Sequence, residues 1–178
     1  VTGKDHIYIN DPPNQTLPTA QRAAFINSVE YDRQKKDHLL ATFFHEGALY
    51  SIDMASGNSM RLLEGMKSPH GGKNYRDMYM ATSTATGELL FSNGDKINFS
   101  GLEGKPDELG ELEWLQNSAL FRDGIITIDS NRNSFILFDP DKKIYDMIPF
   151  DPNWAIQDIA PVDQDGALEL VKEMKNRL

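Results

Sequence analysis

The stretch HGGKNYRD, residues 70–77, has the highest density of side chains that could do chemistry. His70 could act as a base or a ligand, and Lys73 and Arg76 could hold an anion such as a carboxylate or a sulfate. The two glycines would let the backbone approach a ligand. The same residue types are also typical of a solvated loop between structural elements. We therefore predict a loop here. Its predicted ligand-binding residues are His70, Lys73, Arg76 and Asp77.

An Asn-Ser pair occurs twice in similar surroundings, in FINSVEYD (25–32) and in LQNSALF (115–121). The side-chain oxygens of Asn27 and Asn117 could coordinate a calcium ion, which prefers oxygen ligands, and Asp158 would add a carboxylate. Alternatively, Asn and Ser at the start of a strand satisfy loose backbone groups through side-chain hydrogen bonds. The sequence leaves both interpretations open, a calcium site and a structural role.

Other catalytic and metal-binding patterns are missing. The sequence has no cysteine, which excludes disulfides, thiolate metal sites and a cysteine nucleophile. His6, His38 and His45 are scattered without the spacing of a zinc site. The segment DSNRNS (129–134) resembles the start of a calcium loop but lacks its Gly and its closing Glu, so it predicts a hairpin turn. We therefore assign no catalytic residue.

Charge and hydropathy limit the partners. The formal net charge is −9, from 18 Lys and Arg against 27 Asp and Glu. A surface of this sign repels a phosphate backbone, so nucleic acid is not an expected partner. No apolar stretch approaches the roughly 20 residues of a membrane helix, and the N-terminus lacks the pattern of a signal peptide. We expect a soluble protein, a mature or excised domain that could be secreted or periplasmic.

Short apolar or alternating runs bounded by Gly, Asn, Asp and Pro recur from residue 6 to about residue 160. This pattern predicts many short antiparallel strands joined by tight turns, which is an all-β protein. The predicted strands are His6–Asn10, Ser28–Asp32, Leu39–Phe44, Leu49–Asp53, Met60–Leu63, Met78–Thr82, Leu89–Ser92, Lys96–Phe99, Ala119–Phe121, Ile125–Asp129, Phe135–Asp139 and Tyr145–Ile148. The segment 166–178 instead places its apolar residues on one stripe and predicts a C-terminal helix.

An internal repeat organises the predicted strands. The segment 27–64 aligns with 117–150, and two consecutive strands match at a separation of 86 residues. The segment 76–104 is a weaker copy with the same order of strands and turns. Units of about 40 to 50 residues with about four short strands have the length of a propeller blade. We predict a single domain, 1–178. Its predicted blade-like units are about 26–65, 70–104, 115–150 and a partial unit at 157–171.

The segments 26–65 and 115–150 resemble a blade of the propeller group that includes the arylsulfotransferase-like, NHL and gluconolactonase-like families. In that group a strand begins at an Asn-Ser pair and ends in a YxID…TG turn. The resemblance implies a partial or small propeller, and its lactonase-like members imply calcium held by Asn oxygens. The arylsulfotransferase-like pattern has a His two positions before Asn-Ser, where this chain has Phe25 and Leu115. The resemblance therefore argues against transfer chemistry.

Three blades and part of a fourth do not complete a six-bladed ring. The ring could be completed by additional blades of a longer chain, or by a second copy in self-association, or the chain could form a compact four-bladed ring. The alternative fold is a closed antiparallel β-barrel of the lipocalin type, which would leave the internal repeat unexplained. The sequence predicts the architecture of a blade better than it predicts how the ring closes.

The leading functional interpretation is a non-catalytic, propeller-type module that binds a protein partner or a small ligand. The alternative is a calcium-dependent hydrolase or lactonase-like enzyme centred on Asn27, Asp77, Asn117 and Asp158. A third interpretation is a structural subunit that docks through its C-terminal helix. No cofactor is certain, and calcium is the one that the residues suggest.

Overall fold

The computed structural model of the chain describes residues 25–162 and 164–177. These residues form twelve strands in three four-stranded antiparallel sheets, followed by one α-helix. Each sheet uses four consecutive strands in their order along the chain. The predicted all-β, propeller-like stack of four-stranded blades is confirmed. The alternative of a closed barrel is wrong, because within the described ranges no strand of one sheet is paired with a strand of another.

The bounds of the elements are as follows. The first sheet contains β1 Ile26–Tyr31, β2 His38–Phe43, β3 Ala48–Asp53 and β4 Ser59–Leu63. The second sheet contains β5 Pro69–Tyr75, β6 Met78–Ser83, β7 Glu88–Phe91 and β8 Lys96–Asn98. The third sheet contains β9 Leu115–Phe121, β10 Gly124–Asp129, β11 Ser134–Asp139 and β12 Ile144–Pro149. The helix α1 spans Gln164–Arg177.

The first and third sheets repeat each other in register. The β2–β3 hairpin pairs Leu39 with Ile52, and the β10–β11 hairpin pairs Ile125 with Phe138. The corresponding residues of the two pairs lie 86 positions apart, which is the separation that the sequence alignment gave. The two hairpins therefore present equivalent faces at equivalent positions.

The turns after β3 and β11 are closed by the same side-chain hydrogen bonds. The Oδ1 atom of Asp53 accepts the backbone N–H groups of Ala55 at 2.9 Å and of Ser56 at 2.8 Å. The Oδ1 atom of Asp139 accepts the N–H groups two and three residues further on, at 3.1 and 3.0 Å. Asp is favoured at such a position because its short side chain can bond the backbone that follows it.

Apolar side chains between successive sheets form the core. Between the first and second sheets, Leu40 and Leu49 pack against Tyr79 and Ala81. Between the second and third sheets the buried cluster is larger. It contains Tyr75, Met80, Leu89, Phe91, Phe99, Leu115, Ile125, Ile136 and Phe138. Because a single small sheet cannot cover its own faces, the stacking of neighbouring sheets is what buries these side chains.

A buried carboxylate links the first and second sheets. Asp32, directly after β1, accepts a hydrogen bond from Ser51 Oγ at 2.8 Å and one from the hydroxyl of Tyr79 at 3.2 Å. Burial, together with the negative charge of Asp32, raises the pKa of Tyr79 to about 12. The Tyr79 hydroxyl therefore remains a donor to Asp32 throughout the neutral range of pH.

A buried ion cluster holds the third sheet to the segment that leads into it. The side chain of Arg132, in the β10–β11 turn, is 1% exposed and lies 2.7 Å from the Asp129 carboxylate and 3.0 Å from that of Glu113. Lys105 contacts the other oxygen of Glu113 at 2.6 Å. The guanidinium also donates to the backbone oxygen of Leu102 at 2.8 Å. The cluster therefore fixes the connection between the second and third sheets.

The prediction of a loop over residues 70–77 is wrong. Pro69–Tyr75 is strand β5, and only Arg76 and Asp77 lie in the turn that follows it. The pairing of β5 with β6 shifts register between His70 and Lys73. A bulge of this kind, at a Gly-Gly pair, removes the alternation by which a strand is predicted from sequence.

The partial fourth unit predicted at 157–171 is not a blade. Residues 150–162 contain no strand, and the helix α1 follows from Gln164. The segment ALELVKEMK is rich in strong helix formers, so local propensity favours the helix that the sequence also predicted. Its described side chains are mostly exposed, Leu168 by 53%. In the part of the chain that the structure describes, no helix is long and apolar enough to cross a membrane. The predicted strand His6–Asn10 lies outside the described residues.

We predict that Arg132→Met destabilises the protein by about 3 kcal/mol or more, because two buried carboxylates lose their cation. The measurement is the free energy of unfolding from urea denaturation. Arg76→Met is the matched control, since Arg76 forms an exposed pair with Asp141, in which both side chains are about half exposed or more. The control should leave the denaturation midpoint almost unchanged. Equal midpoints for the two variants would show that the buried cluster does not stabilise the fold.

Candidate functional site

The first strands of the three sheets lie side by side and line a cavity. Strand β5 lies between β1 and β9 and contacts both. The cavity has a volume of about 330 Å³. It is lined by residues 27–30 of β1, 70–73 of β5, Asn117 of β9, and the segment 157–158 that follows the third sheet. All three sheets therefore contribute to one site, which we call the inner-strand cavity.

Five of the seven predicted site residues lie in the wall of the inner-strand cavity. These residues are Asn27, His70, Lys73, Asn117 and Asp158. Arg76 and Asp77 do not reach it, because they lie in the turn at the opposite end of β5. Arg76 instead donates two hydrogen bonds to the carboxylate of Asp141, at 3.0 and 2.7 Å, and the Asp77 side chain is exposed. The ligand-binding set predicted from residues 70–77 is thus divided between two ends of one strand.

The two Asn side chains bond their surroundings in different ways. The Nδ2 group of Asn27 donates to the backbone oxygen of Pro69 at 2.9 Å, which ties β1 to the start of β5. The Nδ2 group of Asn117 donates to the carboxylate of Asp158. Its Oδ1 atom accepts the N–H of Ser118 at 2.8 Å. Both side chains therefore satisfy polar groups at the strand starts while they line the cavity.

The two Ser residues of the Asn-Ser pairs join the sheets through a layer of hydroxyl groups. Ser28 Oγ donates to Thr42 Oγ1 at 2.8 Å, and Thr42 Oγ1 also accepts the N–H of Gly72 from the second sheet at 2.9 Å. In the third sheet Ser118 Oγ donates to Thr127 Oγ1 at 2.7 Å. Ser118 Oγ also lies 3.2 Å from Thr82 Oγ1 of the second sheet. The repeated Ser thus has a structural role in both copies.

The two glycines of β5 allow the three first strands to approach each other. A Cβ atom on Gly71 would lie 1.8 Å from Oδ1 of Asn117, and the backbone has φ +58° there. A Cβ atom on Gly72 would lie 2.3 Å from Cδ1 of Leu49 in the first sheet. A side chain at either position would require the facing side chains, those of Asn117 or of Leu49, to move.

Lys73 brings a partly buried ammonium into the cavity. Its Nζ donates to the backbone oxygen of Ser118. Burial lowers the pKa of Lys73, and the charges of Glu30 and Asp158 act in the opposite direction. Among the described residues, no carboxylate lies within ion-pair distance of this ammonium. The ammonium therefore has hydrogen-bonding capacity that the described protein groups do not use.

His70 is held as a neutral imidazole. Burial lowers its pKa below the ordinary value. The ring packs edge-on against Phe44, with 5.9 Å between the ring centroids. At neutral pH it can accept or donate one hydrogen bond in the cavity, and it adds no charge.

The oxygen atoms around the cavity supply only part of the coordination that calcium requires. Calcium takes about six to eight oxygen ligands. Of the three residues predicted as ligands, only Asp158 is a carboxylate, and the Asn117 oxygen already accepts a backbone N–H. The Lys73 ammonium lines the same cavity. Nowhere in residues 25–162 and 164–177 do three His, Asp or Glu side chains gather closely enough to hold a metal ion.

Six residues of the cavity wall were not among the predicted site residues, and the two with long polar side chains are Glu30 and Gln157. Glu30 could have been found, because it lies two positions after Ser28 in a strand and so shares its face. Gln157 lies in a segment without regular structure, for which no periodicity exists to place it. Both add polar side chains to the wall.

Comparisons with known proteins agree with the propeller-like fold. No protein-family model matches the chain, and no curated protein matches it. A solved extracellular domain from B. thetaiotaomicron, described as part of a hybrid two-component system, is similar at a TM-score of 0.50 and 14% identity, over 70% of this chain and 16% of that chain. A catalytically inactive variant of virginiamycin B lyase from Staphylococcus aureus, solved with quinupristin, is similar at a TM-score of 0.52 and 9% identity, over 76% of this chain and 44% of that chain.

These likenesses show the fold alone. The chain spans less than half the length of either structure. The three stacked sheets, with their first strands around one cavity, define an all-β, propeller-like protein. At such low identity, no binding or catalytic property is transferred from the two structures to this chain.

We predict that Gly71→Ala destabilises the protein more than Gly57→Ala does. Both glycines have positive φ, so Ala costs about 1–2 kcal/mol at either position. Only at Gly71 does the new Cβ also collide with Asn117, whereas Gly57 has open space. The free energy of unfolding of both variants measures the difference. Asn117→Ala, combined with Gly71→Ala, should recover much of the additional loss, and no recovery would contradict the proposed contact.

We also predict a pH dependence from His70. Its pKa is about 6.5 in the unfolded chain and lower in the folded protein, so below pH 6.5 the unfolded state binds more protons. The free energy of unfolding should therefore fall as the pH drops from 7 through the folded pKa. Measured between pH 7 and pH 5, the His70→Asn variant should show a shallower decrease than the wild type. Parallel curves would show that His70 is not desolvated.

Proposed function

We propose that the protein is a non-catalytic, propeller-type binding module whose ligand is a small zwitterionic molecule in the inner-strand cavity. The observation that supports this most is Lys73, a partly buried ammonium without an ion-pair partner among the described residues. A desolvated charge is costly unless a counter-charge approaches it. A ligand carboxylate would supply that counter-charge.

The cavity also contains negative charge. Glu30 and Asp158 both line it, and the charges of both act on Lys73. With His70 neutral, the cavity contains one cation and two carboxylates. A purely anionic ligand would meet repulsion from the carboxylates, and a purely cationic one would meet repulsion from Lys73. A ligand with a carboxylate and an ammonium, as in an amino acid, matches both signs of charge.

A binding role is supported by the two residues that stand at the His position of the arylsulfotransferase-like pattern. Phe25 stands where the arylsulfotransferase-like pattern has its His, and its ring packs against Phe44 with 5.4 Å between centroids. Leu115 stands there in the second copy and is fully buried. Neither side chain can transfer a proton or accept a group. Three interpretations stay predictions from the sequence. They are a protein partner at the same face, an exported location, and completion of the ring by further blades or a second copy.

The second candidate is a calcium-dependent hydrolase or lactonase-like enzyme. The observation in its favour is that Asn27, Asn117 and Asp158 line the same cavity. The Lys73 ammonium beside them disfavours a divalent cation, since like charges repel. Calcium binding therefore separates this candidate from the binding module.

We predict that Lys73→Met weakens the binding of an amino acid by about tenfold or more, the value of a charge-assisted hydrogen bond. The probes are a set of zwitterionic L-amino acids and their amides, measured by isothermal titration calorimetry. The wild type should prefer an acid to its amide, and Lys73→Met should lose this preference. Lys67→Met, a change at an exposed Lys just before β5, is the matched control. Equal affinities of wild type and Lys73→Met would refute the proposal.

We further predict that calcium leaves the melting temperature of the metal-free protein unchanged. A ligand that binds only the folded state raises the melting temperature with its concentration. The measurement is thermal unfolding with and without millimolar calcium, with magnesium as the control ion. A rise with calcium alone, lost in Asp158→Asn, would favour the hydrolase candidate over the binding module.

A further inference from the structure

We propose a second binding site, in the groove between the second and third sheets, for a small aromatic or branched aliphatic carboxylate. The groove has a volume of about 480 Å³ and shares no lining residue with the inner-strand cavity. Its apolar wall includes Met78 and Ile97 of the second sheet and Phe138 of the third. We call this site the inter-sheet groove.

A buried hydroxyl without a partner supports a ligand at this site. Tyr75 lines the groove and is 4% exposed. Its hydroxyl oxygen is buried and has no hydrogen-bond partner among the described residues. Buried polar groups are nearly always hydrogen-bonded, so an unpaired one needs an explanation. An acceptor atom of a bound ligand would satisfy this hydroxyl.

The hydroxyl lies in an environment that keeps it a donor. The Tyr75 ring packs against Phe91 with 5.2 Å between centroids. Burial raises the pKa of Tyr75, and the charges of Arg76 and Asp141 on the rim of the groove also act on it. At neutral pH the group is therefore protonated, and its O–H can donate to an acceptor such as a carboxylate oxygen.

The rim of the groove has three cations, and one of them is available. Arg76 is paired with Asp141 at 2.7 Å, and Lys96 is paired with Glu88 at 2.8 Å. Lys143 also lines the groove, and in the described part of the chain it makes no side-chain ion pair or hydrogen bond. Lys143 is thus the cation that a ligand carboxylate can pair with.

Lys143 has a backbone conformation that glycine would adopt more easily. Lys143 has φ +54°, and Gly57, 86 positions earlier in the first repeat, has φ +72° at the equivalent turn position. An L side chain in this region is strained. The third sheet therefore carries a Lys where the first sheet has the unstrained residue. The same region is occupied by Arg76 and Arg122, at φ +52° and +54°, so the backbone conformation alone does not assign a role to Lys143.

These features define the ligand class. The apolar wall suits a ring or a branched chain, and the available donors, Tyr75 and Lys143, both suit carboxylate oxygens. A neutral amide of the same shape keeps an acceptor for Tyr75 and loses the charge for Lys143. The corresponding amine offers no acceptor to Tyr75 or Lys143 and would be repelled by the unpaired ammonium of Lys143. Asp95 and Asp141 also line the groove, and Asp141 is already paired with Arg76.

The test uses phenylacetate, phenylacetamide and phenethylamine as probes on the full chain. Binding is measured by methyl NMR, through saturable shift changes at Met78 and Ile97. The expected order of affinity is phenylacetate, then phenylacetamide, with phenethylamine not binding. Tyr75→Phe should weaken phenylacetate by about tenfold or more, which corresponds to one hydrogen bond to a charged acceptor. It should not destabilise the fold, because an unpaired buried hydroxyl is removed.

Lys143→Gly completes the test, because it relieves the positive φ and removes the cation together. It should weaken phenylacetate by about two- to fivefold and leave phenylacetamide unchanged. Lys73→Met, in the separate inner-strand cavity, should leave both probes unchanged. The proposal is overturned if phenylacetate causes no saturable shifts at the groove at millimolar concentration. It is equally overturned if Tyr75→Phe and Lys143→Gly both bind phenylacetate as the wild type does.

Discussion

The close packing of β5 between β1 and β9 is the constraint on which the rest of the structure depends. Gly71 and Gly72 make this packing possible, because any side chain there would collide with Asn117 on one side and Leu49 on the other. Strand β5 is covered on both faces, yet its sequence, PHGGKNY, is largely polar. Two of its polar side chains bond the neighbouring sheets: Asn74 donates to the backbone oxygen of Tyr31 at 2.9 Å, and Lys73 donates to that of Ser118.

This packing also creates the inner-strand cavity. The close approach at Gly71 and Gly72 brings the side chains next to those glycines, His70 and Lys73, into the wall of one cavity. Burial then lowers the pKa of both groups, for the same reason in each case: water is excluded from the charged form. The residues that hold the sheets together therefore also set the polarity of the cavity.

The sequence predicted the parts of the fold that follow from local chemistry. The hairpins around Asp53 and Asp139 and the separation of 86 residues depend on turn residues and alternating apolar positions, which are visible in one chain. Strand β5 was not predicted, because packing against the neighbouring strands stabilises it, whereas its own residues have low strand propensity. For the same reason, Arg76 was placed with His70. A strand of seven residues separates its ends by roughly 20 Å, so treating 70–77 as a loop joined residues that the fold keeps apart.

The alternation of side chains between the two faces of β5 explains how one strand can contribute to two sites. Side chains at Lys73 and Tyr75 share a face and point toward the third sheet, where Lys73 bonds Ser118 and Tyr75 joins the cluster with Phe138. Gly72 and Asn74 share the other face and contact the first sheet. Lys73 of the inner-strand cavity and Tyr75 of the inter-sheet groove thus lie on one face of one strand, two residues apart in sequence.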